Sequence, residues 1–193
     1  MTDAEWARVV DGLNVGDHAM LLYRDLAGMA PVVERFIASG LRANEYVVAL
    51  LPLEEMAAWR PIFDRAVNAT EGMQDSGTLQ IVPLLPSRLN GDAGPLDLVP
   101  LVRRVLREAK ADNRSEVRVV GRFAPALLER GHDRNAVAIE RFAAEQHFRL
   151  RILCLYDASR MDRASAKTVQ SIVSAHSHSI AHLGQDEYLV EAF

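Results

Sequence analysis

The sequence predicts an α/β protein: three layers, with a mostly parallel open sheet and helices on both faces. Three observations carry that expectation. Short apolar runs alternate with longer segments of helical periodicity along the chain. The run Tyr46–Leu51 (YVVALL) is apolar without interruption, as a strand covered on both sides requires. The composition, 49% hydrophobic and 25% charged over 193 residues, is that of a globular chain of about one domain. It excludes disordered, collagen-like and coiled-coil classes. A chain of this size buries roughly 70% of its unfolded surface and needs no metal or disulfide to fold.

The elements follow in order. Trp6, Val9, Val10 and Leu13 are spaced for a helix within the first 15 residues. Ala19–Tyr23 reads as a strand, and Val33, Phe36, Ile37, Gly40 and Leu41 mark one face of the next helix. After the Tyr46–Leu51 strand, Met56, Trp59, Phe63, Ala66 and Val67 give another helix. Leu79–Pro83 is a strand with proline at its end, where a missing N–H is tolerated. Residues 84–96 hold two prolines, two glycines, an Asn and an Asp up to Pro95, and read either as a lid or as an ordinary surface connection. Leu98, Leu101, Val102, Val105, Leu106 and Ala109 form the cleanest amphipathic helix, with Arg103, Arg104, Arg107 and Lys110 on its solvated face. Val117–Gly121 is a strand. A helix follows around Ile139, Phe142 and Ala143, with Glu140 and Glu145 facing out. Leu150–Tyr156 is a strand that ends in Asp157. From about Asp162 a helix is expected to run into the His-rich stretch, placing Val169, Ile172, Val173, His176, Ile180 and Leu183 on one face. Tyr188–Val190 closes the order as a short strand. Five or six strands separated by helices imply right-handed crossovers.

Charge and processing signals narrow the function classes. With 22 Lys+Arg against 26 Asp+Glu the net charge is −4, a poor match for nucleic acid, and no DNA-reading motif is present. The start, MTDAEWARVVDGLN, carries early acids and no apolar core, unlike a signal peptide. Thr168–Gln185, the longest stretch free of Asp, Glu, Lys and Arg, is too rich in Ser, His and Gln to span a bilayer. Cys154 is the single cysteine, so no internal disulfide forms, which suits a reducing compartment. A cytoplasmic protein without membrane attachment is expected.

Signatures of catalysis are missing. The first strand is followed by Tyr23-Arg24-Asp25-Leu26-Ala27-Gly28, with one glycine, no lysine and no Ser or Thr to hold magnesium. G-x-G-x-x-G, G-x-S-x-G, Cys-x-x-Cys and His-Glu-x-x-His are absent. No enzymatic activity, cofactor or metal is expected.

Several segments together resemble the MEDS domain, the methanogen/methylotroph sensory domain. They are Gly16-Asp17-His18 leading into Leu21-Leu22-Tyr23, Gly40-Leu41 followed by Glu45-Tyr46-Val47-Val48, Val117–Gly121, Leu153-Cys154-Leu155-Tyr156-Asp157, and a helix ending at His176. The resemblance covers the chain from about Gly16 onward. It implies sensing of small hydrocarbon derivatives in prokaryotic signalling. The family in turn looks like a degenerate relative of RecA/KaiC-type ATPases. On that likeness, the stretch from Glu45 to Glu55 is similar to the strand that leads into the catalytic glutamate, and Val117–Arg122 to the Walker B strand. Gly121 stands where the metal-holding Asp would be. Without that Asp and the phosphate loop, the electrostatic terms that drive ATP hydrolysis are gone.

Ligands of open parallel sheets sit at the carboxyl ends of the strands. That rule selects Tyr23, Arg24 and Asp25, then Glu54 with Glu55, Arg122, and Tyr156 with Asp157; Cys154 joins them as a soft ligand. The competing structural roles are packing for the two tyrosines, an N-cap ahead of Ala158-Ser159 for Asp157, and a small buried hydrophobe for Cys154. His176, in an apolar stripe, is either a satisfied core histidine or a sensor group. The last helix returns to the amino edge of the sheet, so His18 and His176 are expected to be neighbours. His178 and His182, four apart on another face, have the spacing of a ligand pair. Cys154 lies about four residues, roughly 13 Å, up its strand. A His18–Cys154–His176 metal site would therefore need staggered strands and is not expected.

The reading that follows is a non-catalytic signal-transduction module. It would bind a small organic effector and regulate a separate transcription or kinase partner, with room for a homodimer. The alternative is a ligand-independent interaction scaffold, which predicts a filled core. A weak ATPase using Glu54, Glu55 or Asp157 ranks third.

Overall fold

The computed structural model describes residues 4–73, 77–114, 116–145, 149–184 and 187–193. Strands β1 (His18–Tyr23), β2 (Tyr46–Pro52), β3 (Thr78–Leu84), β4 (Val117–Gly121), β5 (Leu150–Asp157), β6 (His178–Gly184) and β7 (Glu187–Ala192) form one sheet in the order β3-β2-β4-β5-β1-β6-β7. All pairings are parallel except that of β6 with β7. The α/β, mostly parallel class read from the sequence is thus the observed one.

Each face of the sheet carries its own apolar core, because side chains alternate along every strand. Ala19, Leu21, Val47, Ala49, Leu51, Leu153 and Leu155 pack beneath α1 (Ala4–Gly12), α2 (Leu26–Arg42) and α3 (Met56–Asn68). Met20, Val48, Leu50, Val119, Cys154 and Tyr156 face α4 (Pro95–Ala111), α5 (Phe123–Glu129), α6 (Asp133–Glu145) and α8 (Ala166–Val173). A single turn, α7 (Ala158–Met161), follows β5. Side-chain caps start α2 and α8. The Asp25 carboxylate accepts from the Gly28 N–H at 2.7 Å, and Ser165 Oγ from the Thr168 N–H at 3.1 Å. Gly40 lets α2 press on the sheet: a Cβ there would meet the Arg118 and Val47 side chains at 2.8 Å. Arg118 uses that space. Buried against the Phe36 ring, it pairs with Glu45 and ties the start of β2 to β4.

Two expectations are corrected. The last helix does not run through the His-rich stretch. It ends at Val173, and after a short link, in which the Ser177 N–H donates to the His18 carbonyl at 2.7 Å, the chain enters β6. Ile180 and His182 point inward at strand spacing, so the one-face stripe through His176, Ile180 and Leu183 dissolves, and with it the helical pairing of His178 with His182. Glu140 does not face solvent; it is 1% exposed. The segment 84–96 holds a one-turn helix at Pro86–Arg88, and it is anchored. Leu89 and Ala93 are buried, and Asn135 Nδ2 donates to the carbonyls of Gly91 (3.0 Å) and Ala93. Among the described residues no helix is long and apolar enough to cross a membrane.

Candidate functional site

The carboxyl edge of the sheet is closed by its own side chains. Arg122, at the end of β4, is buried. It donates to Tyr23 Oη (2.5 Å), to the Leu155 carbonyl (3.2 Å), and to the carboxylates of Glu55 (3.0 Å) and Glu129 (2.8 Å). Burial pushes the Tyr23 hydroxyl up, although the guanidinium opposes the shift. For Arg122, burial works against the charge, but Tyr23, Glu129 and Glu55 overcome it and hold the cation firmly. Glu54 pairs with Arg130. Arg24 is exposed, Asp25 caps α2, and Asp157 caps α7 by accepting from the Ser159 N–H at 2.8 Å. Of the residues selected by the strand-end rule, only Tyr23, Arg122 and Glu55 converge, as a buried ion-pair network.

An apolar hollow lies away from this edge. A cavity of about 70 Å³ opens between α4, α5, α6 and the sheet, with room for on the order of five water-sized groups. Val48, Leu50, Val105, Phe123 and Ile139 are among its apolar walls, and His18, Glu140 and Cys154 stand at its polar end. Cys154 therefore lines the cavity, whereas Tyr156 contacts it only through Glu140.

The polar end is a cluster of four donors. His18, Glu140, Cys154 and His176 are each less than one tenth exposed, and their ligating atoms all lie within 4.8 Å of one another. His18 Nε2 is 3.1 Å from Glu140 Oε2 and 3.3 Å from Cys154 Sγ. Glu140 Oε2 is 3.7 Å from both His176 Nε2 and Cys154 Sγ. The two imidazole rings stand 4.1 Å apart, as neighbours at the amino edge. Tyr156 donates its hydroxyl to the other carboxylate oxygen, Oε1.

Strand register explains why the 13 Å separation does not hold. His18 pairs with Ile152, the third residue of β5, so Cys154 lies only two positions further along and on the same face. The strands are staggered, and the cysteine comes within reach of both histidines. Glu140 was missed because it was read as solvated. Its position carried a signal nonetheless: Ala136, Ile139, Glu140 and Ala143 occupy the i, i+3, i+4, i+7 slots of one helical face.

Burial alone would raise the Glu140 carboxyl, but His176, His18 and the Tyr156 hydroxyl hold it down at about 2. Burial, with His18 adding to it, pushes His176 down to about 4. Burial and then the Glu140 charge push the Cys154 thiol and the Tyr156 hydroxyl well up. The cluster thus pairs a fixed carboxylate with a neutral imidazole, a neutral thiol and a neutral phenol.

Comparison with known proteins agrees with this architecture. A solved protein of Pyrococcus horikoshii OT3 is similar at a TM-score of 0.61 and 9% identity, covering 98% of this chain and 91% of that one. A KaiC-like protein of the same organism is similar at a TM-score of 0.52 and 16% identity, covering 92% of this chain and 79% of that one. At these identities the likeness is one of fold, and that fold is RecA/KaiC-like. None of the curated proteins compared matches the chain. The family model described as MEthanogen/methylotroph, DcmR Sensory domain matches residues 17–177 and so takes in all four clustered donors. The chain belongs to the MEDS family of sensory domains.

Proposed function

We propose that the cavity beneath α4 is the receptor site for a small, largely apolar organic effector, and that the chain senses it without transforming it. The observation that carries this reading is the cavity itself: about 70 Å³ with apolar walls and a polar end. An apolar void forfeits dispersion contacts along its lining, and an occupant restores them. The polar end offers hydrogen-bonding groups to a hydroxyl, thiol or halogen carried by a small hydrocarbon derivative. A ligand-independent scaffold would instead have a filled core.

The non-catalytic part of the reading is supported by the carboxyl edge. Of the carboxylates considered for acid–base work there, Glu54 and Glu55 are each held by an arginine and Asp157 is engaged as the cap of α7. Turn residues Arg24–Gly28 supply a helix cap in place of a phosphate cradle. Transmission would run through α4. Leu101 and Val102 line the cavity, and the same helix carries Arg103, Arg104 and Arg107 toward solvent. An occupant that prefers one seating of α4 changes the basic surface offered to a separate regulatory protein; one with no preference transmits nothing.

The test is a thermal-shift screen of the chain against short alcohols, halocarbons, small aromatics and nucleotides, repeated on Ala143→Leu, which fills the cavity. We expect stabilisation by at least one apolar class and its loss in the variant. Stabilisation by none, or an equal response in Ala143→Leu, overturns the reading.

A further inference from the structure

The structure assigns a second role to the polar end: we propose that His18, Glu140, Cys154 and His176 form a binding site for one divalent transition-metal ion of the zinc class. The argument begins with hydrogen-bond accounting. His18 Nδ1 lies 3.1 Å from the Ala175 carbonyl, and His176 Nδ1 lies 2.7 Å from the Ile172 carbonyl. A carbonyl only accepts, so each Nδ1 carries its ring's proton. In a neutral ring the Nε2 atom then presents a lone pair, and both Nε2 atoms face Glu140 Oε2. Three acceptors converge, and the Cys154 thiol offers them a single proton. His176 Nε2, fully buried, has no hydrogen-bond partner among the described residues. Adding one proton to His18 would satisfy Glu140 and still leave His176 Nε2 facing a carboxylate with nothing between them. A cation at the centre satisfies all four groups together.

Geometry and donor type point the same way. Bonds of about 2.0–2.3 Å at tetrahedral angles place neighbouring ligand atoms roughly 3.3–3.7 Å apart. Four of the six ligand–ligand distances, 3.1, 3.3, 3.7 and 3.7 Å, fall close to that range, and the other two lie within 4.8 Å. Two imidazoles, a thiolate and a carboxylate suit zinc and its borderline neighbours, whereas magnesium and calcium take oxygen sets. The surroundings are those of metal ligands. Each histidine is oriented by a backbone carbonyl through its other nitrogen, and the carboxylate by the Tyr156 hydroxyl. On loading, the Cys154 proton leaves to solvent as the S–metal bond forms. The thiolate and carboxylate charges then balance the dication.

This inference shares His18, Glu140 and Cys154 with the effector reading, but its test reads retention of an ion and not occupancy of the apolar cavity, so the two fail separately. The test uses the full chain, stripped with chelator and then reloaded with cobalt(II) or zinc. We expect one tightly held ion per chain. The cobalt form should show visible d–d bands of a four-coordinate site and a near-ultraviolet thiolate-to-metal charge-transfer band. Cys154→Ser, checked for folding by circular dichroism, should lose that band, and His176→Gln should lower affinity at least tenfold. A folded wild-type chain that binds no cobalt overturns the proposal. So does cobalt binding without the charge-transfer band, or with a spectrum unchanged in Cys154→Ser.

Discussion

Arg122 shows how much one side chain holds. Its guanidinium sits beneath the carboxyl edge and compensates Glu55 and Glu129 while also satisfying Tyr23 Oη and the Leu155 carbonyl. Removing one partner of a buried ion pair leaves uncompensated charge, at a cost of about 3–5 kcal/mol. Arg122→Met should therefore lower the unfolding free energy in urea by that amount. Arg122→Lys should recover only part of it, because an ammonium cannot reach four acceptors with the guanidinium's planar fork. A loss below about 1 kcal/mol would mean the network is solvated. The strand-end rule found Arg122, Tyr23 and Glu55 from sequence because position along a strand fixes which edge a residue reaches. It could not show that these groups satisfy one another, since pairing across α5 and β5 depends on the folded arrangement. Glu140 is the opposite case. A charged residue in an apolar stripe is visible in the sequence, but its reason for burial is visible only once β1, β5 and the turn after α8 supply its partners.

At the scale of elements, the alternation of apolar runs and helical faces placed β1 through β5 within a few residues: β1, β2, β4 and β5 are central strands rich in apolar residues, and β3 is the half-exposed edge strand. β6 was hidden. Its buried residues, Ile180 and His182, alternate as in a strand, yet His176, Ile180 and Leu183 also fit helical spacing, and no Gly or Pro marks the boundary. Docking settled the ambiguity, with β1 supplying the ladder for residues 178–181. That docking also brings α2 unusually close to β6. A Cβ on Gly28 would lie 2.0–2.4 Å from ring atoms of buried His182. Alanine in a helix ordinarily gains up to about 1 kcal/mol over glycine, but overpacking of this kind costs about 1–3 kcal/mol. Gly28→Ala should thus destabilise the fold by about 1–2 kcal/mol in denaturant titration. Gly12→Ala, at the end of α1 where nothing lies within 4 Å, should be neutral or stabilising. Equal behaviour of the two variants would show that α2 and β6 separate easily.

Over the whole molecule the two faces of the sheet differ in kind. The α1–α3 side is a hydrophobic layer with an open groove between α3 and β3, whereas the α4–α6 side combines an apolar void with the buried donor cluster. The four donors come from positions 18, 140, 154 and 176, and they meet only because β1, α6, β5 and the turn before β6 converge. An unfolded chain offers no such site, so a bound ion stabilises the native state alone. At a free zinc concentration one hundred times Kd the gain is about 2.7 kcal/mol. For a chain of this length each kcal/mol moves the midpoint by about 2–4 °C. Calorimetry should therefore record a Tm higher by roughly 5–11 °C in zinc than in chelator, with the difference abolished by Cys154→Ser. The same zinc concentration should leave the chelator-treated variant's Tm unchanged, which separates the cluster from weak surface binding. A wild-type chain whose transition is identical with zinc and with chelator would mean that the donors hold a proton network and no ion. The asymmetry between the faces would then have to be explained by the cavity alone.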